Sequence, residues 1–532
     1  MLLSQAEPAS LIEPLPFTQL PQAIYRAEQV RELDRIAIEE FNIPGEILMK
    51  RAGMAAFRKL LLELPKFEKL KVFCGTGNNG GDGFVIAKLA HEKGLDVEII
   101  QLGESDKIRG DALIVRNEAI AAQVKITPFN RDFELHNAVI VDAMLGTGLQ
   151  GDVRGDYLTA IELINNARQP VLAVDIPSGL DSDSGKILGH CINAVMTVTF
   201  IGLKRGLFTG SGPAHCGKIF FADLDIPAEI YNRMTADCSL LENHAARNLI
   251  RRVLPPRIRD GHKGHYGHVL VVGGDQGMAG AIGMAAQAAA RSGAGLVSVA
   301  TRPEHVNALV ARCPEVMTKG VISGQELELL LQRPTVVVIG PGLGRSAWSE
   351  QMLQRVLNCN LPLVIDADGL NLLSSYRGKK SLHRENWALT PHPGEAARLL
   401  NMTTAEIESD RFAAVEKLQA KYGGVVLLKG AGTLIRSAHH TTVAAVGNPG
   451  MATGGMGDVL SGVIGGTIAQ TISQTFAQTF AQEAPIYDAV CVSVYVHGRA
   501  ADLIVQRDGE RGLLATDLLP VIRRLVNGID RL

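Results

Sequence analysis

The stretch "NPGMATGGMGDVLSG", residues 448–462, sets Gly455 and Gly457 beside Asp458, just ahead of an apolar run. Backbone N–H groups of a glycine loop at a helix N-terminus make an anion site. A carboxylate next to it can take a proton from a hydroxyl. Together they suit phosphoryl transfer. The plainer role for Asp458 is to cap a helix starting at Val459, where aspartate is a favoured residue.

A second group lies nearer the amino end. "CGTGNNGGDG" holds Gly75, Gly77 and Gly80 in GxGxxG spacing. In a dinucleotide fold such glycines bring the chain close to a pyrophosphate. The following run "VEIIQLG" ends without the acid that would bind the ribose, and Asn78, Asn79 and Asp82 replace the usual apolar residues. Two more strand ends join it: "VDAMLGTGLQGDVRG", with Asp142 and the loop Gly146 to Asp152, and "VDIPSGLD", with Asp175 and Ser178. Oxygens of Asn79, Asp142 and Ser178 suit a hard monovalent cation. The plain reading of each acid is a turn former or cap.

These residues all follow short apolar runs, and the runs alternate with amphipathic stretches. From Gln22 to about Ala228 they read "KVFC", "VEIIQL", "AVIVDAML", "PVLAVDIP", "AVMTVTFIGL" and "GKIFFADLDIP". A second series reads "HVLVVGG", "LVSVAT", "TVVVIGPG", "PLVIDADGL", "WALTPHPGE" and "VVLLKGAGTLI". Alternation of this kind predicts parallel sheets covered by helices on both faces. The fold class is α/β, as two three-layer domains. Their expected limits are a tail at 1–21, a first domain at 22–230, a linker at 231–244, in the stretch Tyr231 to Arg259 where strands give way to charge and proline, and a second domain at 245–532.

Composition narrows the function. The chain has 532 residues, 46% hydrophobic and 20% charged, with a net charge of −2. At about 150 residues per domain this is two to four domains with full cores. The charge gives no field for a phosphate backbone, so no nucleic-acid partner is expected. Seven scattered cysteines without a CxxC pair suggest neither disulfides nor zinc, and fit a cytoplasmic protein. No run reaches the ~18 apolar residues of a membrane span, so no membrane partner is expected. "HKGHYGH", with His262, His265 and His268, reads as an extended approach to a strand whose side chains diverge, not as a metal cluster. The repeat "QTFAQTFAQ" at 474–482 reads as a surface insertion.

"GNNGGDG", "DAMLGTGLQGDVRG" and "VDIPSGLD" in this order resemble the YjeF N-terminal domain, a Rossmann-like NAD(P)H-hydrate epimerase. "VIGPGLGRS", "DADGLNLL", "TPHPGEAARLL", "KGAGTLI" and "GNPGMATGGMGDVLSG" resemble the ribokinase-like fold in its ADP/ATP-dependent NAD(P)H-hydrate dehydratase branch. Both halves together resemble the bifunctional NAD(P)H-hydrate repair enzymes.

The resemblance implies that Asn78, Asn79, Gly80, Gly81, Asp82, Gly146, Thr147, Gly148, Leu149, Gln150, Gly151, Asp152 and Asp175 bind the hydrate for epimerisation, with Asp175 as acid or base. It implies potassium (K+) at Asn79, Asp142 and Ser178. In the second half it implies hydrate at Ala294, Gly342, His392 and Asp458, and ADP or ATP with Mg2+ at Lys429, Gly430, Ala431, Gly432, Thr433 and Gly457. The substrates implied are the hydrates NADHX and NADPHX, and a homo-oligomer is expected. A plain kinase, a non-catalytic YjeF binding module and a dehydrogenase are the rival readings. The last fails at the missing ribose acid.

Overall fold

The computed structural model describes residues 20–376, 382–477 and 485–531. Of the expected tail only residues 20 and 21 are among these. The 474–482 repeat falls outside them from 478 on, and its first residues end the helix Met456–Ala477.

Seven parallel strands form one sheet, in the order Lys125–Pro128, Asp96–Gln101, Lys69–Cys74, Ala138–Ala143, Val171–Val174, Met196–Phe200 and Lys218–Ala222. The chain winds outward from Lys69–Cys74, then returns to the other side of that strand with Ala138–Ala143. A crevice therefore opens between the carboxyl ends of these two strands, where open α/β sheets hold their ligands. Central runs such as "AVIVDA" are buried at every position, because helices cover both faces.

The second sheet has twelve strands. Its parallel part runs Met317–Gly320, Leu296–Thr301, His268–Val272, Val336–Ile339, Leu363–Ile365, Trp387–Leu389 and Val425–Leu428. Here the winding reverses between His268–Val272 and Val336–Ile339. Thr433–Arg436 and Thr441–Ala444 then continue it as antiparallel strands. The helix Met456–Ala477 lies against Ala279–Arg291, and small residues set their spacing: a Cβ on Gly462 would overlap the Ala285 carbonyl.

Three more strands of this sheet come from outside residues 245–532. Cys238–Leu241 pairs with Thr441–Ala444, Ala23–Tyr25 pairs with Cys238–Leu241, and Leu203–Lys204 pairs with Ala23–Tyr25. The segment 231–244, expected to be a linker without strands, thus supplies a strand, because "CSLL" offers buried apolar residues to a sheet edge. The run "AVMTVTFIGL", expected to be one strand, is two. Met196–Phe200 belongs to the first sheet and Leu203–Lys204 to the second, with a turn at Ile201, whose φ is +61°. Such a value is rare for a β-branched residue and marks a tightly constrained crossing.

The two parts also meet through the hairpin turn Lys429–Gly432. Thr209 Oγ1 donates to the Gly432 carbonyl at 3.1 Å, and Arg411 Nε donates to Thr209 Oγ1 at 3.2 Å. Arg205 stacks over Phe412 at 4.2 Å and donates to Asp237 at 2.9 Å. "HKGHYGH", expected to be extended, contains the 3₁₀ turn Lys263–Tyr266, which stacks the His262 and His265 rings at 3.7 Å while His268 faces Ser298. Among the described residues no helix is long and apolar enough to cross a membrane.

Gly432 has φ +64°, and a Cβ there would overlap the Phe208 carbonyl oxygen. Gly432→Ala is expected to lower stability by about 1–2 kcal/mol from the left-handed backbone alone, more with the clash. A chemical-denaturation midpoint equal to that of the wild type would remove this contact from the structure's supports.

Candidate active sites

The crevice of the first sheet is a cleft of about 800 Å³. Asn78, Asn79 and Asp82 enter it from the start of the helix Asn78–Glu92, Gly146 to Gln150 from the loop after Ala138–Ala143, and Asp175 from the end of Val171–Val174. Gly80 and Gly81 do not line it. A Cβ on Gly80 would overlap the Gly75 carbonyl and one on Gly81 the Met49 sulfur, so both serve close packing. Gly151 and Asp152 lie outside the cleft on exposed chain.

Asp142 and Ser178 sit behind the cleft, both fully buried. The Asp142 carboxylate accepts from Ser178 Oγ at 2.6 Å, from Ser178 N at 2.7 Å and from Met144 N at 3.3 Å. Burial pushes its pKa up to about 6 against these three hydrogen bonds. Asn79 is buried, and neither its amide oxygen nor its nitrogen has a partner. An orphaned amide oxygen and a buried carboxylate lacking a cationic partner fit a bound cation, which would supply the missing charge. Among the described residues no group of three His, Cys, Asp or Glu side chains could hold a metal, so any ion here would rest on a mixed oxygen set.

Asp175 adopts φ +66°, which turns its side chain back over the sheet end. Its carboxylate accepts from Thr199 Oγ1 at 3.1 Å, from Phe200 N at 3.2 Å and from the Lys204 ammonium. Lys204 is 1% exposed and also donates to Thr199 Oγ1 and to the Phe200 carbonyl, each at 3.0 Å. Sequence reasoning missed Lys204, because "IGLKRG" reads as the tail of one strand and gives no sign that the chain changes sheets there. It also missed the helix Ala27–Glu39, which forms a wall of the cleft and brings Asp34 to it. Burial raises the Asp82 carboxyl well above its usual range, helped by Asp175 and Asp34 and opposed by Lys204.

In the second sheet, Asp366, Thr390 and Lys429 follow neighbouring strands at their carboxyl ends. Asp366 accepts from Lys429 Nζ at 2.6 Å and from Thr390 Oγ1 at 2.7 Å. A Cβ on Gly457 would stand 3.3 Å from Lys429 Nζ, so the glycine loop and the lysine share one site. Burial opposes the Lys429 charge, but Asp366, Glu395 and Asp458 outweigh it and hold its pKa above the usual lysine range.

The helix begins at Met456, not at Val459. Asp458 therefore lies in the first turn, where a carboxylate is favoured by the helix dipole, and is not the residue preceding the helix. Burial, then Asp366, pushes its pKa up to about 6, with Lys429 opposing.

His392 caps the helix Pro393–Leu400. Its Nδ1 accepts from Gly394 N at 3.0 Å and Glu395 N at 3.4 Å, while Glu395 accepts from His392 N at 2.9 Å. Burial, then Lys429 and Arg398, lowers its pKa. Gly342 lies at the reversal point of the sheet, against Met278 and Ala281. Ala294 is not brought to this site. It precedes the strand Leu296–Thr301, at the amino ends of the parallel strands, and its neighbour Gly293 meets Gln470, about 20 Å along the helix from Gly457. Gly430 and Ala431 are exposed at the hairpin turn beside Lys429, and Thr433 Oγ1 donates to the Gly430 carbonyl at 3.0 Å. Gly432 is buried beneath Phe208, so its small size serves the contact between the two parts. Asp366 was missed as a site residue, although "PLVIDADGL" ends an apolar run in an acid.

Two open sheets, each with a glycine-rich site at the carboxyl ends of its parallel strands, define a class of two-centre α/β enzyme. A family described as YjeF-related protein N-terminus matches residues 45–206, and one described as NAD(P)H-hydrate dehydratase matches 269–524. A bifunctional NAD(P)H-hydrate repair enzyme from Coxiella burnetii is 48% identical, with 95% of this chain and 99% of that protein covered. The one from Escherichia coli is 41% identical, covering 96% and 95%. A solved structure of the ADP/ATP-dependent NAD(P)H-hydrate dehydratase from Bacillus subtilis, co-crystallised with ATP/Mg2+, is 27% identical over 53% of this chain and 97% of its own, with a TM-score of 0.46. The chain belongs to the family of bifunctional NAD(P)H-hydrate repair enzymes.

With a folded-state pKa of about 6, Asp458 is ionised above that pH and protonated below it. A step that uses it as a base should lose rate as pH falls through about 6 and regain it on the alkaline side. A kcat/KM profile for the nucleotide-dependent reaction that stays flat from pH 5 to 7.5 would rule out that use.

Proposed function

We propose that the protein repairs hydrated NADH and NADPH: its first cleft interconverts the R and S epimers, and its second site returns the S epimer to NAD(P)H at the expense of ADP or ATP. One observation carries this reading. A single chain, related over nearly its whole length to bifunctional repair enzymes, holds two sites furnished differently, the first with Asp175 and Lys204, the second with Asp458 and Lys429 beside a helix N-terminus.

In the second site Asp458 takes the proton of the C6 hydroxyl as its oxygen attacks the terminal phosphoryl group. Lys429 and the backbone N–H groups near Gly457 face the charge that develops there. Gly342 and His392 border the hydrate, and the turn Lys429–Thr433 with Gly457 borders the nucleotide. Mg2+ with the nucleotide would neutralise phosphate charge. Phosphate is a far better leaving group than hydroxide. The lone pair of the ring nitrogen expels it, and loss of a C5 proton restores the dihydropyridine.

In the first cleft Asn78, Asn79, Asp82 and the loop from Gly146 hold the hydrate, and Asp175, paired with Lys204, moves the proton. Asn79, Asp142 and Ser178 would hold K+, which would supply positive charge to the cleft. The unpartnered Asn79 amide supports this assignment. The scattered cysteines support a cytoplasmic location.

Incubating the pure protein with mixed hydrate epimers and ADP or ATP should restore reduced-nicotinamide absorbance completely. A stable phosphorylated product would point to a plain kinase, and recovery stopping at the S fraction would remove the epimerase. Asp458→Asn should lower the rate of S-epimer dehydration by about 10²- to 10⁴-fold while binding changes little. Near wild-type turnover would take Asp458 out of the mechanism. Asp142→Ala should abolish the response of epimerisation to added K+ and leave S-epimer dehydration in place. A variant that still responds to K+ would move the ion elsewhere.

A further inference from the structure

The helix Ala27–Glu39 brings two acidic side chains to the wall of the first cleft, Asp34 and Glu39. The neighbours of Asp34 on that helix show why it is unusual. Glu32 and Glu39 are engaged by Arg35 and stay in contact with solvent. Asp34 is turned inward and makes no hydrogen bond or ion pair among the described residues, although it is largely withdrawn from solvent. The charged and titratable groups that face it come from four other elements: Lys204 from the strand Leu203–Lys204, Asp175 from the end of Val171–Val174, Asp82 from the helix Asn78–Glu92 and Tyr231 from the helix Ala228–Tyr231. Lys204 is already committed to Asp175 and to two neutral oxygens.

We propose that Asp34 is a second catalytic group of the first cleft, a carboxyl that exchanges a proton with the C6 oxygen of the hydrate while Asp175 serves the opposite proton transfer. This rests on the epimerase reading of that cleft. Inversion at C6 requires the C6–O bond to break with its electron pair on oxygen, the N1 lone pair to close a C6–N1 double bond, and water to add to the other face. Protonated Asp34 gives its proton to the departing hydroxyl, which leaves as water. The Asp175 carboxylate takes a proton from the water that adds. One water leaves and one enters, nothing is oxidised or reduced, and the proton passed from Asp34 to Asp175 returns through solvent before the next turnover. The opposite epimer uses the same pair in reverse.

Two carboxyls suit this because their surroundings differ. Asp175 is bonded to the buried Lys204 ammonium. Asp34 has no cation of its own, and burial pushes its pKa up to about 6, with Lys204 opposing and Asp175 assisting. An unpaired carboxyl and one bonded to an ammonium can thus take different parts in one reaction.

The test uses the full-length chain with pure R hydrate in ¹⁸O-labelled water, following the appearance of the S form and of label at C6. Wild type should insert one labelled oxygen per inversion. Asp34→Asn should lower kcat for epimerisation by about 10²- to 10⁴-fold with little change in KM, and should erase the limb of the pH profile near 6. Asp34→Glu, which keeps an acid, should retain at least about a tenth of the rate. Dehydration of pure S epimer by the second site reports in each case that the chain is folded. An Asn variant within threefold of wild type would overturn the proposal, as would a slow variant with the wild-type pH profile, a Glu variant as slow as Asn, or inversion without label. If wild type itself does not invert the hydrate, the reading of the whole cleft fails, a result distinct from a failure of Asp34 alone.

Discussion

A lysine almost wholly removed from water must find a negative partner, and Lys204 finds Asp175. Breaking a pair of this kind costs several kcal/mol, because the remaining charge stays buried and alone. The requirement reaches beyond one site. Lys204 is a residue of the larger sheet, and Asp175 ends a strand of the smaller one, so their contact fixes how the sheets approach each other. The turn at Ile201 and the stacking of Arg205 on Phe412 follow from the same crossing. The cleft then has its shape because one wall is held by the neighbouring part of the chain.

Both sites combine one lysine with several acids, yet the balance differs. In the first cleft Lys204 faces Asp175, Asp82 and Asp34, and two of the acids are driven toward their neutral forms by burial. In the second, Lys429 is bonded to Asp366 and lies near Asp458 and Glu395, and burial raises Glu395 to about 7. Each site also takes the N-terminus of a helix, Asn78–Glu92 in the first and Met456–Ala477 in the second, where Asp458 lies in the first turn near Lys429. Similar winding of two sheets thus supports proton shuffling in one place and phosphoryl chemistry in the other.

Much of this was legible in the sequence. Apolar runs ending in Gly or Asp marked the strands, and polar residues just after them marked Asn79, Asp142 and Asp175, because strand ends are where open sheets bind ligands, while Asp458 stood out for the glycines around it. What was not legible depended on tertiary pairing. Lys204 looked like the end of one strand because nothing local announces a change of sheet two residues earlier. Asp34 sits on an amphipathic helix whose charges read as a solvated face, and only packing turns that residue inward. The strand Cys238–Leu241 was hidden in a charged, proline-bearing stretch, and Ala294, placed on the hydrate by the resemblance alone, lies at the amino end of its strand. Short edge strands and helix walls acquire their roles from distant partners, which pattern alone does not name.

The twelve-stranded sheet also bears on how the chain is made. Ala23–Tyr25 leaves the ribosome early, but its two neighbours are Leu203–Lys204 and Cys238–Leu241, and the latter needs Thr441–Ala444. At ~5–20 residues per second the first strand stays without a ladder for roughly ten to forty seconds. The seven-stranded sheet can close meanwhile, since all its strands lie between residues 69 and 222. Biosynthesis is therefore staggered: the epimer-converting half assembles its sheet first, its strand at 203–204 gains a partner only within the larger sheet, and a chain halted before residue 441 presents an open edge to whatever it meets.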